Sequence, residues 1–270
     1  MSRPPVFVSG DFDDLNSGYI RFLEEAARLG EVHVCLCTDT TLQSVTGNPP
    51  AFPLQERRYL LESLRFVHRV LLHGGGADEL PADAMLPGSR WAMCAGECTP
   101  AREAFCQAAG LELELVPEKD LAGFPVPEVP VRAGRDRVVV TGCYDWLHSG
   151  HVRFFEEASQ YGDLYVGVGS DRTVRELKGP PHPMFPEAER RYLVQAVRFV
   201  TQAFINSGSG YLDAAPDIEV LQPQVYVVNE DGDRPEKRVF CEERGIRYVV
   251  LKRLPKEGLP GRDSTTLRGF

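Results

Sequence analysis

The stretch VVVTGCYDWLHSGHVRFFEEAS (138–159) decides the fold. Its first five residues are a β-branched apolar run that ends in glycine, the pattern of a buried strand. HSGHVRFFEEASQYG (148–162) then reads as a helix closed by Gly162. Outward from there the two patterns alternate. Leu164 to Gly169 is a second strand. EAERRYLVQAVRFV (187–200) has the apolar spacing of a long helix. VYVV (225–228) is a strand, RPEKRVFCEERG (234–245) a helix and IRYVVL (246–251) a last strand. Strands that alternate with helices predict an α/β fold, a parallel sheet covered by helices on both faces. In such sheets ligands sit beyond the carboxyl ends of the strands, where the strand order reverses.

The same order occurs twice in the chain. SGDFDDLNSGYIRFLEEAA (9–27) matches TGCYDWLHSGHVRFFEEAS (141–159), and Val8 to Asp39 aligns with Val140 to Asp171 without a gap. ERRYLLESLRFV (56–67) meets ERRYLVQAVRFV (189–200), and PAREAFCQAAGLELELV (100–116) meets PEKRVFCEERGIRYVVL (235–251). Agreement in order at three places marks a domain-sized duplication. The expected architecture is two tandem Rossmann-like domains, 1–122 and 138–270. The proline-rich GFPVPEVPVRAGRDR (123–137) is a short extended linker between them.

Composition narrows the setting. The 270 residues suffice for two cores. No apolar run reaches the ~20 residues of a membrane span. The N-terminus lacks the apolar core of a signal peptide, so a cytoplasmic protein is expected. Seven cysteines, an odd count set in apolar segments, read as reduced, mostly buried thiols. Cys94 and Cys98 are spaced like half a metal site but find no second pair, so no metal-ligand set is read from the sequence. A net charge of −9 argues against nucleic acid as a partner.

The chemistry is expected at the turn between strand and helix. Gly142 ends the strand, and the helix start presents free N–H groups and a positive dipole end to an anion. Gly150 permits close approach of a ligand to the backbone. His148 and His151, three residues apart, bring two ring N–H donors to the same place, which suits a reaction that builds charge on a phosphate. The bland alternative is a pair of capping or surface histidines.

YDWLHSGH resembles the HxGH signature of the nucleotidyltransferase superfamily, and the stretch GCYDWLHSGH…GVGSD…KGPPHPMFPEAERRYLVQAVRFV looks most like its cytidylyltransferase branch, the ethanolamine-phosphate type above all. The resemblance implies two histidines, His148 and His151, on the nucleotide phosphates. It implies a charge-neutralising Lys178 and an Arg198 from a third segment. It also implies a nucleotide site built from Gly142, Cys143, Tyr144, Asp145, Gly150, Asn229, Asp231 and a terminal Ser264-Thr265-Thr266. Arg198 reads alternatively as a solvated helix face. The implied reaction moves CMP from CTP to a phosphorylated small alcohol and releases pyrophosphate. Mg²⁺ would travel with the triphosphate. Adenylyl transfer from ATP and a non-catalytic nucleotide sensor or scaffold are the competing functions.

Two segments depart from the family's pattern. Asn229-Glu230-Asp231-Gly232 replaces a Gly-Asp-Asp or Gly-Asn-Asp run. KRLPKEGLPGRDSTT keeps the basic pair Lys252-Arg253 but lengthens the loop, with Arg262 a candidate for the vacated place. The first copy has Asn16, Tyr19 and Thr46 where the second has His148, His151 and Lys178. It is therefore expected to be non-catalytic, standing in for a second subunit in an intrachain pseudo-dimer that would leave the chain monomeric.

Overall fold

The computed structural model describes residues 3–126 and 134–267, without the side chains of Thr265 and Thr266. The chain divides into two compact units, Met1–Gly123 and Phe124–Phe270. The first contains β1 (Pro5–Gly10), α1 (Ser17–Leu29), β2 (Glu31–Cys37), α2 (Asp39–Thr46), α3 (Leu54–Glu62), β3 (Val67–His73), β4 (Arg90–Cys94), α4 (Pro100–Ala109) and β5 (Glu112–Val116). The second contains β6 (Arg137–Gly142), α5 (Ser149–Ala158), β7 (Asp163–Val168), α6 (Asp171–Lys178), α7 (Glu187–Gln195), β8 (Val200–Ile205), α8 (Ala215–Leu221), β9 (Val225–Asn229), α9 (Pro235–Glu243), β10 (Arg247–Leu251) and α10 (Ser264–Leu267). Each unit has one five-stranded sheet. The orders are β3-β2-β1-β4-β5 and β8-β7-β6-β9-β10, the same topology, and every strand pair is parallel.

The α/β reading therefore holds for both halves. Val138, Val139 and Val140 are wholly buried, as a central parallel strand requires. In the second unit the chain runs from β6 out to β7 and β8, then returns to the opposite side of β6 with β9. Strand order reverses between β6 and β9, so the crevice lies at their carboxyl ends.

The expected helix over 187–200 stops at Gln195. Tyr192, Leu193, Ala196, Val197 and Val200 are all buried, so the helical spacing of apolar residues continues across a turn that the backbone has already made. Gln195 fixes that turn: its Oε1 accepts from Ala203 N at 2.7 Å, and its Nε2 donates to Thr201 O. Arg198 consequently sits exposed on the turn rather than on a helix. The linker expectation also shifts at its start. Phe124 belongs to the second unit, its ring 5.9 Å from Tyr192 and its carbonyl accepting from Arg191. Residues 127–133 of the expected linker lie outside the described part.

A buried guanidinium braces each unit. Arg190, with no exposed surface, donates to the carbonyls of Phe185, Cys143 and Gly169 and pairs with Asp171 at 2.8 Å. It ties together the ends of β6 and β7 and the starts of α6 and α7. In the first unit Arg57 does the same with Phe52 O, Asp11 O and Asp39. A carboxylate works beside each. Asp145 accepts from the amides of Met184 and Phe185, and Asp13 from those of Ala51 and Phe52.

Replacing Arg190 by Met strands several buried acceptors and an Asp171 carboxylate, a defect worth about 3–5 kcal/mol. Arg190→Lys loses most of the same, because an ammonium has no planar fork. Denaturant unfolding of the full chain should show one of two transitions moving early by that amount. An unchanged midpoint would remove the brace from the account of stability.

Candidate active site

His148 is the N-cap of α5. Its Nδ1 accepts from Gly150 N at 3.1 Å, and its backbone is extended there. With Nδ1 an acceptor, the proton of the neutral ring is on Nε2, which is buried and has no hydrogen-bond partner. His148 is 1 % exposed, so this is a buried donor waiting for an acceptor. The His151 ring stacks on it at 3.9 Å and meets Tyr144 edge-on at 5.3 Å.

Both imidazoles are held neutral. Burial, with help from the charge of Arg253, lowers the His148 pKa to about 4. His151 is pushed well below the usual range by burial, then by His148, Arg253 and Lys178. Gly150 is required for this geometry, because a Cβ there would lie 2.9 Å from the His148 ring. Tyr144 adopts a positive φ of 52°, rare for an aromatic residue, and its ring fills the space over Gly142, where a Cβ would come within 2.7 Å. Its phenol is held protonated by burial.

A cleft of about 640 Å³ opens at the carboxyl ends of β6 and β9. Of the residues singled out from the sequence, Gly142, Cys143, Tyr144, Asp145, His151, Lys178, Asn229, Asp231 and Ser264 line it. Gly150 lines a smaller adjoining cleft of about 250 Å³ that shares Phe154 and Asn229 with the first. Arg198 lines neither, and His148 is buried behind His151 rather than on either wall. Thr265 and Thr266 lie in α10, but their side chains are outside the described part.

Asp145 has a different task from the one expected. Its carboxylate is occupied by the Met184 and Phe185 amides and by His182 Nδ1 at 3.3 Å, so it shapes the loop that follows Lys178 at the end of α6 and carries His182. Asn229 ends β9, and Asp231 follows in a single 3₁₀ turn. Asp231 is paired with Arg253 at 2.8 Å. Arg253 also reaches Asp263 and Arg262 O, so it pins the lengthened final loop against the end of β9. Arg262 lines the smaller cleft.

Three cationic or donor groups on the cleft wall escaped the sequence reading: His182, Arg234 and Lys237. Arg234 lies over the Tyr211 ring at 5.3 Å. Lys237 is buried, its Nζ 5.7 Å from the Tyr226 ring, and burial lowers its pKa against the pull of Asp213. Their only signal was the RPEK opening of α9, where positions three apart share a face. Lys178, Arg234 and Lys237 together make a wall suited to several phosphate oxygens, with the His151 ring beside them.

The first unit carries the same frame without this wall. Asn16 caps α1, accepting from Tyr19 N at 3.2 Å, and the Tyr19 hydroxyl donates to Asp11. Phe12 repeats the positive φ of Tyr144, at 48°. Arg57 and Asp13 repeat Arg190 and Asp145. What both units share is thus architecture; what only the second has is the histidine pair and its cations.

Known proteins place these features. Residues 139–251 match the model of the family described as cytidylyltransferase-like. A protein of Methanocella arvoryzae named FAD synthase is 32% identical over 135 residues, 49% of this chain and 92% of its own length. The bifunctional protein HldE of Geotalea uraniireducens is 40% identical over 111 residues, and the match spans 22% of its length, so this chain corresponds to about a fifth of that relative. A solved lipopolysaccharide core biosynthesis protein from Thermoplasma volcanium aligns over 48% of this chain and 100% of its own, at 24% identity and a TM-score of 0.38. With the HxGH turn at the switch point, the family match over 139–251 and the similarity that spans 92% of the FAD synthase, the chain belongs to the cytidylyltransferase-like family of nucleotidyltransferases.

Proposed function

We propose that the second unit transfers a nucleoside monophosphate from a nucleoside triphosphate to a phosphorylated small molecule, with release of pyrophosphate. The observation that carries this is the unpartnered Nε2–H of His148, buried at a helix start and stacked on His151, which lines the cleft together with Lys178, Arg234 and Lys237. Attack by an acceptor phosphate oxygen on the α-phosphorus forms one P–O bond and breaks the bond to the β-phosphate. Negative charge grows on the non-bridging oxygens and on the leaving pyrophosphate. The neutral His148 ring meets that charge with its Nε2–H and needs no proton change at neutral pH, while His151 stacks on it and holds it in place. Lys178 suits the leaving group, and catalysis is positioning plus charge stabilisation, with no covalent intermediate. Arg234 and Lys237, on the β9 side, suit the acceptor phosphate.

Mg²⁺ fits this wall only as a companion of the phosphates. Asp145 is committed to backbone amides and Asp231 to Arg253, so the cleft offers an ion few oxygen ligands of its own. When bound, the ion supplies charge neutralisation.

Two donors compete. CTP follows from the motif resemblance. ATP is favoured by the similarity to a FAD synthase, a name that points to an adenylyl-containing product. Melting curves of the full chain with Mg²⁺ and each of CTP, ATP, GTP and UTP decide. A ligand at 100 times its Kd adds about 2.7 kcal/mol. A selective shift with CTP or ATP names the donor, and pyrophosphate release then screens phosphorylated acceptors. No shift with any of the four sinks the proposal and leaves a scaffold role.

His148→Asn is the sharpest variant, because Asn16 already caps the equivalent helix of the first unit. Stability should change by no more than about 1 kcal/mol, whereas turnover should fall about 10²–10³-fold. Retained turnover would remove His148 from the chemistry.

The pH dependence has a definite sign. His148 and His151 have folded-state pKa values below the usual 6.5, so the unfolded chain binds protons that the folded one does not. Their contribution is full above pH 6.5 and is lost as pH falls from 6.5 through about 4. Urea midpoints across that window should fall less steeply for His148→Asn than for the unaltered chain. Equal slopes would show that the ring is not held neutral.

A further inference from the structure

The first unit keeps the frame and drops the phosphate wall, yet it carries a cluster of its own. Glu31 opens β2, His33 lies two residues on and projects to the same side, and His68 lies at the start of β3. One ligand atom from each comes within 4.8 Å of the other two. The rings of His33 and His68 stack at 5.3 Å, and His68 Nε2 is 3.7 Å from Glu31 Oε2.

The backbone explains the convergence. In the β2–β3 ladder Val32 pairs with Val67 but His33 pairs with Arg69, so His68 is the extra residue of a β-bulge. A bulged residue is re-aimed relative to the regular pleat, and here it turns toward the Glu31–His33 side. The duplicate unit has the same bulge between β7 and β8. There Leu164 pairs with Val200 and Tyr165 with Gln202, which leaves Thr201 in the bulge. The residues corresponding to the cluster are Asp163, Tyr165 and Thr201. Tyr165 is buried, and Asp163 is paired with Arg135. The frame therefore does not demand the three ligands. Only the first unit has them.

From this we infer that Glu31, His33 and His68 form a binding site for a divalent transition ion of the zinc type. Two imidazoles and one carboxylate match the ligand preference of such an ion rather than that of Mg²⁺. Tetrahedral bonds of ~2.1 Å set ligand atoms ~3.4 Å apart, so closure needs only small side-chain rotations. His33 and Glu31 are half-buried and His68 is exposed, so the three face an ion that enters from solvent. Glu31 brings the negative charge that offsets the ion, while the exposed Arg69 opposes it. Three protein ligands leave at least one position for water or for an anionic partner. The site does not depend on the reaction assigned to the second unit.

The test is titration of the full reduced chain with Zn²⁺, and separately with Co²⁺, in excess Mg²⁺. The site predicts one saturable equivalent whose Co²⁺ spectrum lacks thiolate charge transfer. His33→Gln and His68→Gln should each weaken that step about tenfold or more, while His148→Asn leaves it in place. His68 is exposed, so its variant folds, and circular dichroism checks this. Persistence of the step in both variants, or a thiolate band, would assign the metal to cysteines and overturn the inference. So would the absence of any saturable step in the unaltered chain.

Discussion

Everything at the candidate site is referred back to one buried guanidinium. Arg190 has no solvent to satisfy its N–H groups, so each must find an oxygen in the protein. The oxygens it takes are those at the ends of β6 and β7 and at the head of α6. These are the segments that must hold still if a helix start, a glycine turn and a lysine are to meet one phosphate. Asp145 completes the hold on the loop before α7. Fixed groups of this kind stabilise developing charge at little reorganisation cost, which is why a positioning network is worth its desolvation.

The duplication supplies an internal control that a single domain would lack. Arg57 and Asp13 keep the same partners in a unit without histidines at the helix start. The brace is thus separable from the chemistry. The aromatic residue at positive φ, Phe12 or Tyr144, belongs to the brace too. Asp145 shows how easily the two roles are confused: it lies on the cleft wall, but its carboxylate holds Met184, Phe185 and His182 in the loop before α7.

The fold was legible because buried parallel strands leave long apolar runs and glycine stops, and because each pattern came twice. The end of α7 was not legible, since buried residues kept helical spacing through the turn after Gln195. His148 and His151 were legible because they sit on one turn. Arg234 and Lys237 reach the same cleft from a helix more than eighty residues later, and no local pattern announces that meeting. Glu31, His33 and His68 were hidden for a further reason: their convergence depends on a bulge, which shifts the alternation that a strand reading assumes.

That bulge has a history. It occurs at the same step in both units, so the simplest account is that the single-domain ancestor already had it before the chain was doubled. His68 occupies it in one unit and Thr201 in the other, so the backbone turn does not depend on which side chain stands there. The His148–His151 pair stands in one copy only, and Asn16 and Tyr19 stand at its places in the other. A ligand set such as the one proposed for Glu31, His33 and His68 would need only side-chain replacements on a backbone already bent to receive them, a short evolutionary path within one polypeptide.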